Sequence, residues 1–248
     1  MTKLSVNLNK VALLRNTRDY GVPDVCQAAR TCIDAGAHGI TVHPRPDERH
    51  IKGQDVHDLA ALLANHDEVE FNIEGNPFEG PYLELIRHVK PTQATLVPDA
   101  PGQRTSDHGW DMVTDGEQLQ PVIDDLLGRG IRVSLFIDPD LNQISHAAQC
   151  AVDRIELYTE SYAAAFRGGR SGAAEHMLER FAEAAARAGE LGLGVNAGHD
   201  LNVKNLGVFC QRLRDPGVLE VSIGHELISE AIWYGLDATV KAYLEVLG

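Results

Sequence analysis

The sequence is poor in every feature that would tie it to a membrane, a disulfide framework or a nucleic acid. No stretch approaches the roughly 18 uninterrupted apolar residues of a membrane span. The four cysteines, Cys26, Cys32, Cys150 and Cys210, form no CxxC pair and match no zinc spacing. They read as reduced thiols of a cytosolic protein. Each lies in a helical pattern rather than at a strand end, which argues against a reactive nucleophile. Basic residues are outnumbered, 22 against 36 acidic, for a net charge of −14. A surface of that sign repels nucleic acid and anionic lipid, so an anionic ligand would have to be met by a local basic pocket. The start, MTKLSVNLNKV, lacks the apolar region and cleavage site of a secretory signal, so the expected location is the cytoplasm. No GxGxxG or Walker A motif points to an open-sheet nucleotide fold, and no linker or low-complexity tract divides residues 1–248.

What is present is alternation. Short β-rich runs occur at Leu4–Leu8, Gly39–His43, Glu70–Glu74, Gln93–Val97, Ile131–Ile137, Arg154–Tyr158, Leu193–Asn196 and Leu219–Ile223. Helical patterns follow at Asp24–Ala35, Asp55–His66, Pro81–Lys90, Gln118–Arg129, Leu141–Cys150, Glu175–Leu191, Val203–Leu213 and Glu226–Leu247. Asp, Asn or Pro opens several of them and Gly closes several, as helix caps require. Strand-then-helix repetition implies a parallel sheet. Eight units in 248 residues predict a single α/β domain, a closed (β/α)8 TIM barrel. The segment Ser161–Ala174, with Arg167-Gly-Gly-Arg170-Ser-Gly172, is long and glycine-rich for a βα connection. It reads either as a mobile lid or as a plain surface insertion.

Barrel enzymes carry their chemistry at the C-terminal ends of the strands. Here polar residues gather at those ends: Asn7, Asn9 and Lys10 after the first strand, His43 and Arg45 after the second, Glu74 on the third, Glu156 on the sixth, His199 on the seventh, His225 after the eighth. Ala197-Gly198-His199 and Ile223-Gly224-His225 read as glycine turns leading to helices, where backbone N–H groups bind phosphate. Arg15, Arg18, Arg45 and Arg49 lie in the loops after strands 1 and 2 and suggest a second anion site. The bland alternative is ion pairing with Asp19, Asp47 and Glu48. A Schiff-base lysine would have to be Lys10, which sits beyond strand 1. His43, His199 and His225 could ligate a metal, but there is no HxH or HExxH. Metal-free proton transfer between two anion sites is the reading that remains.

Nine motifs in order carry a resemblance: VNLNKVALLRNTR, GAHGITVHPRPDERHI, FNIEG, LVPD, TSDHGWD, VSLFID, IELYTESYA, LGVNAGHDL and VSIGHELI. The chain resembles the pyridoxine 5′-phosphate synthase family over nearly its whole length. Members are transferases of vitamin B6 biosynthesis. They condense 3-amino-2-oxopropyl phosphate with 1-deoxy-D-xylulose 5-phosphate to pyridoxine 5′-phosphate, phosphate and water. The resemblance implies that His43 and Glu74 accept protons, that His199 donates one, and that Glu156 stabilises a charged intermediate. It implies that Asn7, Arg18, the backbone at Asp200, Gly224 and His225 hold the aminoketone phosphate or the product's phosphate. Arg45, His50 and Thr105, with Asn9 and Lys10 beside them, would hold deoxyxylulose phosphate. It implies no metal and no organic cofactor, small phosphorylated substrates as the only partners, and a homo-oligomer, an octamer built from dimers.

The chain departs from the family's pattern in two places. The familiar first-strand ending Val-Asn-Ile-Asp-His is here Val6-Asn7-Leu8-Asn9-Lys10, and a Gly often found after the catalytic histidine is Asp200. The first change makes the pocket more positive. The second sets a carboxylate beside a phosphate site. Two rival readings are a barrel lyase or isomerase acting on one phosphorylated carbonyl compound, and a non-catalytic barrel that senses a phosphorylated metabolite.

Overall fold

Successive side chains of a strand point to opposite faces, and that periodicity decides how this barrel is filled. Apolar and polar residues take turns in EFNIEG, RVSLFI, RIELY and EVSI. In the computed structural model, which describes residues 1–169 and 171–248, such runs form one parallel sheet closed on itself in sequence order. Its strands are β1 (Lys3–Asn7), β2 (Gly39–Val42), β3 (Glu70–Gly75), β4 (Gln93–Leu96), β5 (Arg132–Ile137), β6 (Arg154–Tyr158), β7 (Gly194–His199) and β8 (Glu220–Ile223). Closure is made by β1 against β8, with Leu4 opposite Val221 and Val6 opposite Ile223. The (β/α)8 barrel is as expected, and each expected strand is present to within a residue at its ends, except that β7 runs on three residues past Asn196 to His199.

The helices are α1 (Asn9–Arg15), α2 (Val25–Asp34), α3 (Gly53–Leu63), α4 (Tyr82–Val89), α5 (Met112–Gly128), α6 (Leu141–Gln149), α7 (Glu160–Arg167), α8 (Ser171–Glu190), α9 (Leu206–Arg212), α10 (His225–Tyr234) and α11 (Leu236–Leu247). Among the described residues, N-cap side chains start three of them: Asp24 for α2, Asp111 for α5 and Asp140 for α6. Among the described residues, no helix is long and apolar enough to cross a membrane.

Leu4, Val6, Ile40, Val42, Ile73, Val133, Leu135, Ile155, Leu157, Val221 and Ile223 are buried in one core with helical residues such as Ala29, Leu59, Ile86, Ile123, Ile144 and Phe181. Each such side chain contributes on the order of 1.5–3 kcal/mol. The alternate residues face the barrel axis and, apart from Phe136 and the glycines, are polar. Contacts across the barrel establish this: Asn196 on β7 donates to Gln93 on β4 at 3.3 Å, and Gln93 reaches Glu220 on β8 at 3.5 Å. The network continues from Thr95 to Asn72 at 2.9 Å and from Asn72 to Thr41 at 3.3 Å. Arg132 donates to Gln93 at 2.8 Å and Arg154 to Asn196 at 3.1 Å. At the N-terminal mouth Lys3 and Arg132 both pair with Glu70.

Four expectations are corrected. The residues after β1 do not form a loop but helix α1, so Asn9 and Lys10 begin a helix. Helix α5 starts at Met112, not Gln118, because Asp111 caps it. The pattern Glu226–Leu247 is two helices, parted at Gly235, whose φ of +83° suits glycine. Residues 161–167 of the long β6–α8 connection are helical and docked: the Tyr162 hydroxyl donates to the Asn205 carbonyl at 2.9 Å, and its ring packs on Phe166 and Phe209. Arg170, part of the same glycine-rich run, lies outside the described residues.

The polar interior makes opposite predictions at two sites. Gln93→Ala strips partners from Thr95, Arg132, Asn196 and Glu220, and should cost roughly 1–3 kcal/mol for each group left unpaired. Ser134 is buried with its hydroxyl unpartnered, so Ser134→Ala should be neutral or stabilising. Urea denaturation of both variants checks this; a tolerated Gln93→Ala would show that the network adds nothing to stability.

Candidate active site

The inward-facing line of side chains continues past the strands and opens at their C-terminal ends into a cavity of about 650 Å³. That is within the size range of small-molecule sites, roughly 300–1,000 Å³. Twelve of the fourteen residues expected at the site line it: Asn7, Asn9, Lys10, His43, Arg45, His50, Glu74, Thr105, His199, Asp200, Gly224 and His225. Glu156 stands behind the wall, 1 % exposed, with neither carboxyl oxygen partnered. Arg18 is exposed beyond the end of α1 and is not brought to the cavity.

His43 lies between two carboxyl groups. Its Nδ1 is 3.8 Å from Glu74 Oε2 and its Nε2 is 3.8 Å from Asp99 Oδ2. Asn7 donates to Glu74 Oε2 and Ser222 to Oε1, both at 3.3 Å. Burial, and then the charge of Asp99, push the Glu74 carboxyl up to about 8. Burial and the charges of Glu74 and Glu220 push Glu156 well up as well. The histidines move the other way. Burial and the Arg45 charge lower His43, and burial with Arg45 and Lys10 lowers His199 to about 4 and His50 to about 3. Near neutrality the site therefore holds protonated carboxyls beside neutral imidazoles, with Lys10, Arg45 and Arg49 supplying positive charge. This is the local basic pocket that an acidic protein needs for an anion.

His199 ends β7 with φ of +86°, a strained value for a residue with a side chain. Its ring rests against Phe136 and Tyr158, and its Nδ1 is buried without a partner. Gly198 does not make the expected turn. It lies inside β7, and a Cβ there would come within 2.5 Å of Glu156 Oε1 and 2.8 Å of the Ser222 carbonyl oxygen. Glycine at this position makes room for a buried carboxyl. Gly224 does match its expectation: it precedes α10, so backbone N–H groups are free there, and a Cβ would press on Asn7 at 3.0 Å.

The arginine-rich segments divide. Arg15 pairs with Asp55 and donates to the His50 carbonyl oxygen at 3.1 Å, which staples α1 to the start of α3 rather than serving an anion. Arg49 lines the cavity while paired with Asp47. Asn9 Oδ1 accepts the His43 backbone N–H at 2.9 Å, tying the ends of β1 and β2 together. The Asp200 carboxylate lies 3.9 Å from Arg167 on α7, which offsets its charge at the rim. Arg104, Ser106, Tyr158, Glu160 and Ser222 also line the cavity, and Asp99 lines a small side cavity next to His43 and Arg45. Asp99 ends the LVPD motif, whose spacing marks no role for it, and strand alternation places Ser222 on the face shared by Glu220 and Gly224.

Because the folded chain holds the Glu74 proton more tightly than the unfolded chain, its contribution to stability is full at acid pH and is lost as pH rises toward about 8. The melting temperature should therefore fall from about pH 4.5 to about pH 8 and level off above that. Glu74→Gln should flatten that fall, and parallel curves for the two proteins would refute the assignment.

The sequence profile of the pyridoxal phosphate biosynthesis protein PdxJ family matches residues 4–248. The chain is 56% identical over 252 residues to the pyridoxine 5′-phosphate synthase of Xanthomonas axonopodis pv. citri (strain 306), covering 99% of this chain and 96% of that one. It is 55% identical to the same-named protein of Xylella fastidiosa (strain M23), covering 99% and 95%. Among solved structures it is similar to the YdjI aldolase from Escherichia coli K12, with a TM-score of 0.62 at 11% identity over 99% of this chain and 88% of that one. A 4-hydroxy-2-oxoglutarate aldolase gives 0.61 at 13% identity over 99% and 94%. These two likenesses are of fold alone. With a family match that spans nearly every residue, and with the barrel and its strand-end cavity in place, the chain belongs to the pyridoxal phosphate biosynthesis protein PdxJ family.

Proposed function

We propose that the chain, acting as one barrel unit over residues 1–248, is a pyridoxine 5′-phosphate synthase. In this reading it is a cytoplasmic transferase that condenses 3-amino-2-oxopropyl phosphate with 1-deoxy-D-xylulose 5-phosphate without metal or organic cofactor. One observation carries the reading: His43, Glu74 and His199 share a single cavity, whose lining also includes the cations Lys10, Arg45 and Arg49 and, at Gly224 and His225, the N-terminus of α10. Two anion-binding regions flanking proton-exchanging groups suit two phosphorylated substrates that must lose water and phosphate as they join.

In this reading Gly224 and His225 hold the aminoketone phosphate through the free N–H groups of α10, with Asn7 and the backbone at Asp200 beside them. Arg18 stays outside the cavity of a single chain. Arg45, His50 and Thr105 hold deoxyxylulose phosphate, with Asn9 and Lys10 next to them. Binding both reactants side by side removes much of the entropic barrier to joining them. The imine links amine and ketone of the two substrates, so no enzyme lysine is needed. His43 is neutral and can accept a proton, and Glu74, tuned near 8, can both take and return one. Burial first, and then the charges of Arg45 and Lys10, hold His199 down. A phosphate dianion on them offsets that charge, so substrate binding raises the proton affinity of His199 and readies it as a donor. Glu156, buried behind Gly198, faces the charge that develops in the intermediate. A homo-oligomer, an octamer by family resemblance, is supported by the exposed run Ile232, Trp233 and Tyr234 at the end of α10, between 71% and 81% exposed.

Supplying the two substrates singly and together tests the proposal. Pyridoxine 5′-phosphate should form only from the pair; turnover of one substrate alone, with no product from the pair, would favour a lyase or isomerase. His43→Ala should lower kcat by roughly 10²-fold or more with the fold intact, and near-normal turnover would remove His43 from the mechanism. Arg45→Ala should raise KM for deoxyxylulose phosphate about 10–100-fold, the weight of a charge-assisted hydrogen bond. A rise confined to the aminoketone would reverse the two phosphate assignments.

A further inference from the structure

Asp99 was not among the residues expected at the site, and its surroundings set it apart. It follows β4, is 5% exposed, and lies between Arg45, 7% exposed, and His43, 4% exposed. Its Oδ2 pairs with the Arg45 guanidinium, accepts from Ser106 Oγ at 2.8 Å and stands 3.8 Å from His43 Nε2. Asn76 donates to its backbone carbonyl oxygen at 3.0 Å, which holds the residue from the β3 side. Its Oδ1 is buried with no partner.

Such an arrangement is not there for stability. A buried ion pair seldom outperforms apolar packing of the same volume, and an unpartnered buried carboxyl oxygen adds a further cost. What the contact does supply is geometry. Among the described residues, Asp99 is the one carboxylate within ion-pair distance of Arg45. The other contact on that guanidinium is the Gln103 carbonyl oxygen at 2.9 Å, on the β4–α5 loop. Without Asp99, which lies on the same loop, the Arg45 guanidinium would keep only that backbone contact. Asp99 borders a small side cavity of about 60 Å³ together with His43 and Arg45 and does not line the main one. It therefore acts through these neighbours.

We infer that Asp99 is a positioning residue that locks Arg45 and His43 into one unit, so that an anion held by Arg45 presents its carbon skeleton to the His43 ring. The inference rests on the roles proposed above for Arg45 and His43, and it extends them to a coupling between anion binding and proton transfer.

A double-mutant cycle tests it on two readouts. The first is affinity for inorganic phosphate, which needs no turnover. Asp99→Asn and Arg45→Ala should each weaken it, and the double variant should be no weaker than the worse single one, since both changes undo the same contact. The second is the paired-substrate assay. Asp99→Asn should lower kcat roughly 10–10²-fold, the scale of a misplaced reactant, and raise KM for deoxyxylulose phosphate while leaving KM for the aminoketone phosphate unchanged. Asp99→Glu should restore part of the loss. Effects that multiply in the double variant, or an aminoketone KM that rises equally, would overturn the inference. Should Asp99→Asn not fold, Ser106→Ala takes its place in the cycle with Arg45→Ala, and multiplied effects would again overturn it. If the wild-type chain makes no pyridoxine 5′-phosphate, the functional reading fails and the phosphate cycle still decides the role of Asp99.

Discussion

A parallel sheet closed in sequence order divides every strand into two faces, and the rest of the structure depends on that division. One face must satisfy the helical layer and is apolar. The other meets its counterparts across the barrel axis. In this chain that inner face carries Ser5, Thr41, Asn72, Gln93, Thr95, Asn196 and Glu220, joined by hydrogen bonds between neighbouring strands and, through Gln93, across the axis. Polar groups in such a place must find partners. A network anchored on many strands at once leaves little freedom for any one of them to slip in register.

The active-site cavity is the open end of that same inner face. Glu74 is two residues beyond Asn72, and Ser222 two beyond Glu220, on their strands. The low-dielectric surroundings that strengthen the network also set the ionisation of the site. Carboxyls are pushed up and imidazoles down by the same cause, burial, while Lys10, Arg45 and Arg49 add positive charge at the rim. Neutral proton-exchange groups and a cationic wall coexist because Arg45, although buried, is paired with Asp99, and Lys10 and Arg49 keep part of their solvent, while the imidazoles lose their charge to burial.

Much of this was legible in the chain. Strand positions follow from short β-rich runs, and the residues at their C-terminal ends are those that meet in the cavity, because a parallel barrel sends all those ends to one mouth. Less was legible where a residue's neighbour lies far away in sequence. Gly198 looks like a turn glycine, and only the adjacent Glu156 shows that it is an empty place in a strand. Arg15 looks like an anion ligand, and only the approach of Asp55 shows that it is a staple. The helical nature of residues 9–15 and 160–167 was missed because short helices within βα connections carry too few turns for a clear period. Asp99 was passed over because a carboxylate after Val-Pro has no distinctive spacing; its meaning comes from Arg45 and His43.

By itself, then, the sequence determined the fold class, the order of the strands and the chemical types available at their ends, since alternation, caps and motif order are local properties of the chain. Only the tertiary structure decided which side chains touch, which ones lose their water, and so which protonation states the site holds. Those are set by groups that closure brings together from all around the barrel, and no local pattern records them.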